Sequence, residues 1–303
     1  MLSASLAQSS RAVYRRGVLK YAEFNNAVLR GLDIFPISID STLLFIAYLH
    51  LSGLSAASIQ TYVAALSYFN RLIGASNLTS SFVIQKALVG AQRISPTPTT
   101  RLPIHLSMLH NLLDAIARYT PGYDRFLFRA MFSIAFHGFL RIGEITIRSH
   151  SAPHRALQLN ECIVHASSPR RGVELTLTNF KGNTNRAPFS ILIPPCAQPQ
   201  YCPVAITSEY LSLRGNKPGT LFLDAAGRPI TRAVFSSFLN KVIASAGYST
   251  SHLKPHSFRI GAATTAAAQG ISDDVIQRLG RWRSNAYQRY IKIPLFRSDV
   301  SHL

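Results

Sequence analysis

Four segments of this 303-residue chain carry side chains able to hold an anion, move a proton or supply a nucleophile. In the first, Gly138-Phe139-Leu140-Arg141-Ile142-Gly143-Glu144-Ile145, an arginine sits in an apolar stretch with a glutamate three residues on. On a helix the two share a face, and alone they read as an ordinary buried ion pair. The second is Lys181, in the turn chemistry of Lys181-Gly182-Asn183; turn lysines are ordinarily solvated, so alone it carries nothing. The third, His256-Ser257-Phe258-Arg259, follows Pro255 at a predicted helix start, where free backbone N–H groups favour an anion. The small residues after it, Gly261-Ala262-Ala263, allow close helix packing. The fourth runs from Leu279 to Ile291 and is rich in arginine and tyrosine. Alone it reads as a phosphate-binding surface helix.

The elements that must position these residues are mostly helices. Ser55 is a suitable N-cap for a run with Ile59, Tyr62, Val63, Leu66, Phe69, Leu72 and Ile73 near helical spacing, and Gly74 is a suitable stop. Further apolar segments cover 41–51 and 81–91, giving a helical bundle of residues 1–94 without a catalytic signature. Residues 95–103, with Pro96, Pro98 and Pro103, forbid a helix and read as an extended linker. Beyond it, in 104–303, Ser107 is expected to cap a helix through Ile116, and a second helix is expected over 123–138. Val173, Leu175 and Leu177 alternate with Glu174, Thr176 and Thr178, as a strand does. Phe189, Ile191 and Ile193 form a second alternating run, so the two make a β-hairpin with Lys181 near its tip. Helices are expected over 203–213, 232–246, 259–269 and 272–279. The fold class is therefore mainly α with a small β-sheet: an N-terminal helical domain and an α+β domain.

Composition narrows the partner. Lysine and arginine number 32 against 13 aspartate and glutamate, for a net charge of +19. Residues 1–100 hold 8 basic and 3 acidic residues, and residues 101–303 hold 24 and 10, so both parts favour a polyanion. No apolar run approaches 20 residues, so no membrane span is expected. The Ser- and Arg-rich N-terminus has no clear signal peptide and only a weak likeness to a mitochondrial transit peptide. Cys162, Cys196 and Cys202 have no C-x-x-C pairing and no histidine at zinc-finger spacing; they read as free thiols in a reducing compartment. No glycine loop of the nucleotide-binding kind is present, and acidic residues are too sparse for a convincing two-metal cluster, so no cofactor and no metal are expected.

Taken together and in this order, the four segments resemble the catalytic domain of tyrosine recombinases, the phage-integrase superfamily. That family carries an arginine with a glutamate three on, a hairpin lysine, His-x-x-Arg, then Leu-Gly-(His or Trp) and a tyrosine nine residues beyond it. Here these map onto Arg141 with Glu144, Lys181, His256 with Arg259, and Tyr290. The resemblance covers about residues 101–295, and the N-terminal bundle is similar to the family's DNA core-binding domain. The wording HSFRIGAAT and GRWRSNAYQRYI resembles recombinases of eukaryotic mobile elements, DIRS-like retrotransposons or Cryptons. One departure stands out: nine residues before Tyr290 is Arg281, and Trp282 follows it. Spacing puts Arg281 first as the phosphate contact, with Trp282 as the alternative. Tyr287 is a rival nucleophile; spacing and the Arg-Tyr-Ile context favour Tyr290.

The resemblance implies cleavage and rejoining of double-stranded DNA through a 3′-phosphotyrosine at Tyr290, freeing a 5′-hydroxyl without ATP or metal. Arg141 and Arg259 suit a phosphate clamp, because their planar forks meet the non-bridging oxygens and stabilise the charge gained in the transition state. A tyrosine of ordinary pKa about 10 needs a base or a strong positive field, and His256 is the candidate acid/base. Glu144 would orient a neighbour, and the resemblance gives Lys181 the role of general acid. It also implies assembly of four protomers on two DNA sites and work in the nucleus, for which no basic import cluster speaks independently. Leu295 and Phe296, beyond Pro294, are expected to dock on a neighbouring protomer. Competing readings are a tyrosine topoisomerase, which would relax DNA as a monomer, a domesticated non-catalytic DNA-binding protein, and an RNA-binding structural protein.

Overall fold

The computed structural model describes residues 5–31, 33–96, 101–148, 153–167 and 170–292, apart from the side chains of residues 9 and 154. The chain forms two compact units, residues 1–99 and 100–303, each with its own hydrophobic core.

The first unit is four helices: α1 (Gln8–Val28), α2 (Ile39–Leu51), α3 (Ala56–Leu72) and α4 (Phe82–Ile94). Ser55 caps α3 as the sequence predicts, its hydroxyl accepting from the Ser58 N–H. Gly74 follows with φ 79°, a conformation that stops a helix cheaply only for glycine. The sequence reading named no element before Ser41, yet α1 is the longest helix of the unit. Arginines and asparagines dilute its apolar stripe, but Tyr21 and Phe24 are buried, and Gly17 allows close approach to Ala65 of α3, 3.2 Å from where a Cβ would stand.

The second unit packs helices and a small sheet into one core. Its elements are α5 (Leu106–Tyr119), α6 (Gly122–His137), a single turn α7 (Ile142–Ile145), β1 (Cys162–His165), β2 (Gly172–Leu177), β3 (Phe189–Ile193), α8 (Pro203–Arg214), α9 (Arg232–Ser245), α10 (Ser257–Ala268) and α11 (Asp273–Leu279). A 3-10 turn at Asn285–Arg289 follows. The sheet is antiparallel in the order β1-β2-β3, with Val173 opposite Ile193 and Leu175 opposite Ile191. The alternation predicted for β2 turns Val173, Leu175 and Leu177 into the core. Strand β1 was not anticipated; four residues are too few to show a period.

Ser107 is not the cap of α5. That helix starts at Leu106 after His105, because Leu102 and Ile104 are held extended, their N–H groups donating to the carbonyls of His252 and Ser257. The second of these bonds pins the approach to α5 against α10. Gly261 makes this possible: a Cβ there would stand 1.7 Å from the Ile104 carbonyl oxygen. Behind α10, Phe258 packs on Phe132 of α6 (ring centroids 4.9 Å apart) and on Phe235 of α9 (6.0 Å), so the helix is fixed from both sides. Residues 97–100 of the expected linker, and Pro294, Leu295 and Phe296 with their expected docking role, lie outside the described residues.

Candidate active site

Arg141 and Glu144 do not lie side by side along one helix face as their spacing suggested. Arg141 is the N-cap of α7, and Glu144 closes the turn back onto it: the carboxylate accepts from the Arg141 backbone N–H (2.9 Å) and from its guanidinium (3.1 Å). Glu144 is only 4% exposed and has a second cation, the Arg281 guanidinium at 2.7 Å. One buried carboxylate thus serves two arginines. The turn before it is made by Phe139 in the left-handed region (φ 50°). For a bulky residue that conformation costs roughly 1–2 kcal/mol. It aims the Phe139 carbonyl inward, where both Arg259 and Arg281 donate to it.

His256 and Arg259 open α10. Arg259 is fully buried; one terminal nitrogen donates to the Phe139 carbonyl and the other to the Gly280 carbonyl, and its Nε–H meets no acceptor. The Trp282 ring covers the guanidinium, 4.2 Å from ring centroid to Cζ. This stacking is worth about 2 kcal/mol when the cation is desolvated. Gly280 leaves the room for it, since a Cβ there would overlap the indole. The Trp282 Nε1–H and the Arg281 Nε–H are also buried without acceptors. Among the described residues, three N–H donors on three adjacent side chains therefore lack acceptors, and three arginines stand near one carboxylate that bonds only two of them.

That surplus of positive charge shows in the titration of the group. Burial, then the charge of neighbouring arginines, lowers the pKa of Arg259; burial also lowers that of Arg281. Both guanidiniums start so high that they stay protonated at neutral pH. His256 is pushed down to about 4, by burial first and then by Arg259, Arg101 and Arg141. It is a neutral imidazole at pH 7, able to accept a proton, and a bound anion would raise its basicity.

Tyr290 ends the 3-10 turn beside this cluster, its ring 5.2 Å from the His256 ring and 4.9 Å from that of Trp282 (centroid to centroid). The Arg259 guanidinium lies 5.8 Å from its ring centroid. Tyr287 is placed differently: it is buried, and its hydroxyl donates to Asp273 at 2.8 Å, which raises its pKa. The structure brings Arg141, Glu144, His256, Arg259, Arg281, Trp282 and Tyr290 together. Within this group Arg281 turns toward Glu144 and the carbonyls of Gly138, Phe139 and Leu279, while Trp282 faces Arg259 and Tyr290. The cause is local, for Arg281 has φ 56° and a left-handed residue redirects the chain after it.

Lys181 is exposed on the connection 178–188 between β2 and β3, and no hydrogen bond or ion pair involves it among the described residues. The connection itself reaches the site: Phe180 lies 5.6 Å from the Arg281 guanidinium, and Gly182 lies beside Arg283. Sequence reasoning missed the Phe139 carbonyl, for which no side-chain signal exists.

The family model described as "Phage integrase family" matches residues 108–293. Comparison with curated proteins gives no match. Among solved structures, the Tn1549 transposon integrase in complex with transposon right end DNA shares 14% identity at a TM-score of 0.67, over 96% of this chain and 91% of that one. A lambda integrase dimer bound to a COC′ core site shares 17% at 0.63, over 98% and 93%. A lambda integrase tetramer bound to a Holliday junction shares 18% at 0.57, over 95% and 72%. At such identities the likeness concerns the fold, which is that of the integrases; with the family model spanning more than half its length, the chain belongs to the phage integrase family.

Proposed function

We propose that this protein is a site-specific recombinase of a mobile element that cuts and rejoins double-stranded DNA through a phosphotyrosine at Tyr290. The observation that carries the reading is the cluster of half-buried Arg141 with buried Arg259, Arg281 and Trp282. It has more positive charge than Glu144 balances and three N–H donors without acceptors, directly beside a tyrosine and a neutral histidine. A phosphodiester supplies the missing charge, and acceptors for Arg259 and Trp282.

In the proposed reaction the non-bridging oxygens lie against Arg141, Arg259 and the Trp282 Nε1–H. His256 takes the phenolic proton as the Tyr290 oxygen attacks phosphorus. The bond from phosphorus to the 5′-oxygen breaks, and the Lys181 ammonium protonates that leaving oxygen. Resealing runs the steps in reverse, the 5′-hydroxyl attacking and His256 returning the proton to tyrosine. The ester conserves the bond energy, so rejoining needs no ATP. Trp282 takes the contact that spacing alone offered to Arg281, and Arg281 holds Glu144 and the Phe139 turn in place.

The net charge of +19 supports backbone grip by both units, with residues 1–94 as core-binding domain and 104–303 as catalytic domain. The transposon integrase among the similar structures supports a mobile-element setting, and the lambda integrase tetramer supports assembly of four protomers. The segments HSFRIGAAT and GRWRSNAYQRYI favour an element of the DIRS-like or Crypton kind, working in the nucleus.

The test is a duplex carrying the element's end sequence, nicked near the cut site so that the cleaved strand escapes. A covalent protein–DNA adduct is expected from the wild type and from Tyr287→Phe, and none from Tyr290→Phe. An adduct lost only in Tyr287→Phe would overturn the assignment of the nucleophile. Strand exchange between two labelled duplexes then separates a recombinase from a topoisomerase.

A further inference from the structure

The segment that carries Tyr290 has little structure of its own. It is a five-residue 3-10 turn, a geometry with poor hydrogen bonds and no capacity to hold a side chain in register alone. Tyr287 ties the turn to Asp273, and a second hydroxyl holds the chain around Tyr290 itself. Thr264 Oγ1 donates to the Tyr290 carbonyl at 3.0 Å and accepts from the Lys292 backbone N–H at 3.0 Å, bracketing the residue after the nucleophile.

This is an unusual use of a helical threonine. A threonine hydroxyl in a helix ordinarily bonds back to the carbonyl four residues earlier. Thr42 of α2 and Thr61 of α3 do so, donating to the carbonyls of Ser38 and Ala57. Thr264 instead reaches a backbone 26 residues away, and it is only 2% exposed, so its hydroxyl is committed to that contact. It also stands on α10, the helix that bears Arg259 and opens at His256. Clamp, base and anchor thus share one rigid element, itself gripped by Phe132 and Phe235 through Phe258.

We propose that Thr264 is a positioning residue for strand cleavage: its hydroxyl clasps the backbone on both sides of Ile291 and so presents the Tyr290 phenol to the phosphate held by Arg259. The proposal rests on the reading of Tyr290 as nucleophile. Thr264 touches no substrate; it sets the distance between nucleophile and clamp, and a misplacement of about 1 Å at a reacting atom costs on the order of 100-fold in rate.

The experiment measures single-turnover adduct formation and DNA affinity separately, using the full chain and the nicked end duplex above. Thr264→Val has nearly the same shape and lacks the hydroxyl; Thr264→Ser keeps the hydroxyl and loses a methyl group. The expected result is an adduct rate reduced on the order of 10- to 100-fold in Thr264→Val, unchanged DNA affinity, and recovery close to wild type in Thr264→Ser. Faster exchange of the Lys292 amide in Thr264→Val, read by hydrogen exchange on the free protein, is the accompanying sign of an open clasp. If Thr264→Val cleaves as fast as wild type, or if Thr264→Ser is as slow as Thr264→Val, the clasp is overturned. If both variants bind and cleave poorly with lowered Tm, the role is packing and the proposal fails. Absence of an adduct in the wild type would overturn the functional reading itself, a result distinct from any of these.

Discussion

Two buried arginines of the second unit meet opposite fates. Arg214, in the last turn of α8, is 8% exposed and has no carboxylate partner among the described residues. Its Nε donates to Leu221, one terminal nitrogen to Gly215 and Lys217, and the other to Thr220, all of them carbonyls. A cation at a helix C-terminus, surrounded by carbonyl oxygens, is satisfied by structure alone. Arg259 also binds two carbonyls, but it keeps an unmet Nε–H, lies among other arginines and is covered by an indole with an unmet N–H of its own. The first site is finished when the chain has folded. On the proposed function the second is complete only when a phosphate arrives, and leaving buried donors unmet costs about 1–3 kcal/mol each until then. The difference separates a stabilising arginine from a functional one more clearly than burial or charge does.

The largest effect that tests this contrast is on chemistry. Arg259→Lys keeps the charge and loses the fork, so the adduct rate should fall on the order of 100- to 1,000-fold, as when one oxyanion donor is removed. Arg214→Lys should leave the rate per folded molecule unchanged and lower the Tm instead, since several carbonyls lose their donors. Equal loss of rate in both variants would break the contrast. Next comes ligand binding without cleavage. Orthovanadate, a mimic of the phosphoryl transition state, should raise the Tm of the wild type and of Arg214→Lys but not of Arg259→Lys. The gain should be about 2.7 kcal/mol at a hundredfold excess over its Kd. A smaller effect isolates the indole donor: Trp282→Phe keeps a ring over Arg259 and removes Nε1–H, so the adduct rate should drop about 10-fold, the worth of one hydrogen bond. A rate unchanged in Trp282→Phe, with a large loss in an Arg281→Lys protein of normal Tm, would return the contact to Arg281.

The smallest effect concerns pH. In the folded chain His256 titrates near 4, whereas an unfolded histidine titrates near 6.5. Between those values the unfolded chain takes up a proton that the folded one refuses. This position therefore contributes stability above pH 6.5 that is lost as pH falls toward 4. Thermal unfolding of His256→Gln between pH 7 and 4 should show a flatter profile than the wild type; parallel profiles would mean that the imidazole is not held neutral.

Much of the architecture was legible because its signals are periodic. The stripe from Ile59 to Leu72 with Ser55 before it, and the alternation at 173–177 and 189–193, name α3, β2 and β3 within a residue or two. Helix α1 escaped because its buried Tyr21 and Phe24 stand among charged and amide residues, and β1 because it is too short to show a period. Site residues were legible as types and spacings, and their orientations were not. Counting from Tyr290 assumes a regular chain, but Arg281 adopts φ 56°, which sends its own side chain to Glu144 and Trp282 toward the tyrosine. Nor does sequence spacing reveal that Glu144 is shared, because its second partner lies 137 residues away.

The two hydrophobic cores have an evolutionary consequence. No buried residue belongs to both clusters, so a substitution that loosens packing around Phe45 or Leu66 takes its toll within residues 1–99 and leaves the packing beneath α10 intact. Changes to the packing of one half can thus accumulate while the core that supports the reactive residues stays as it is.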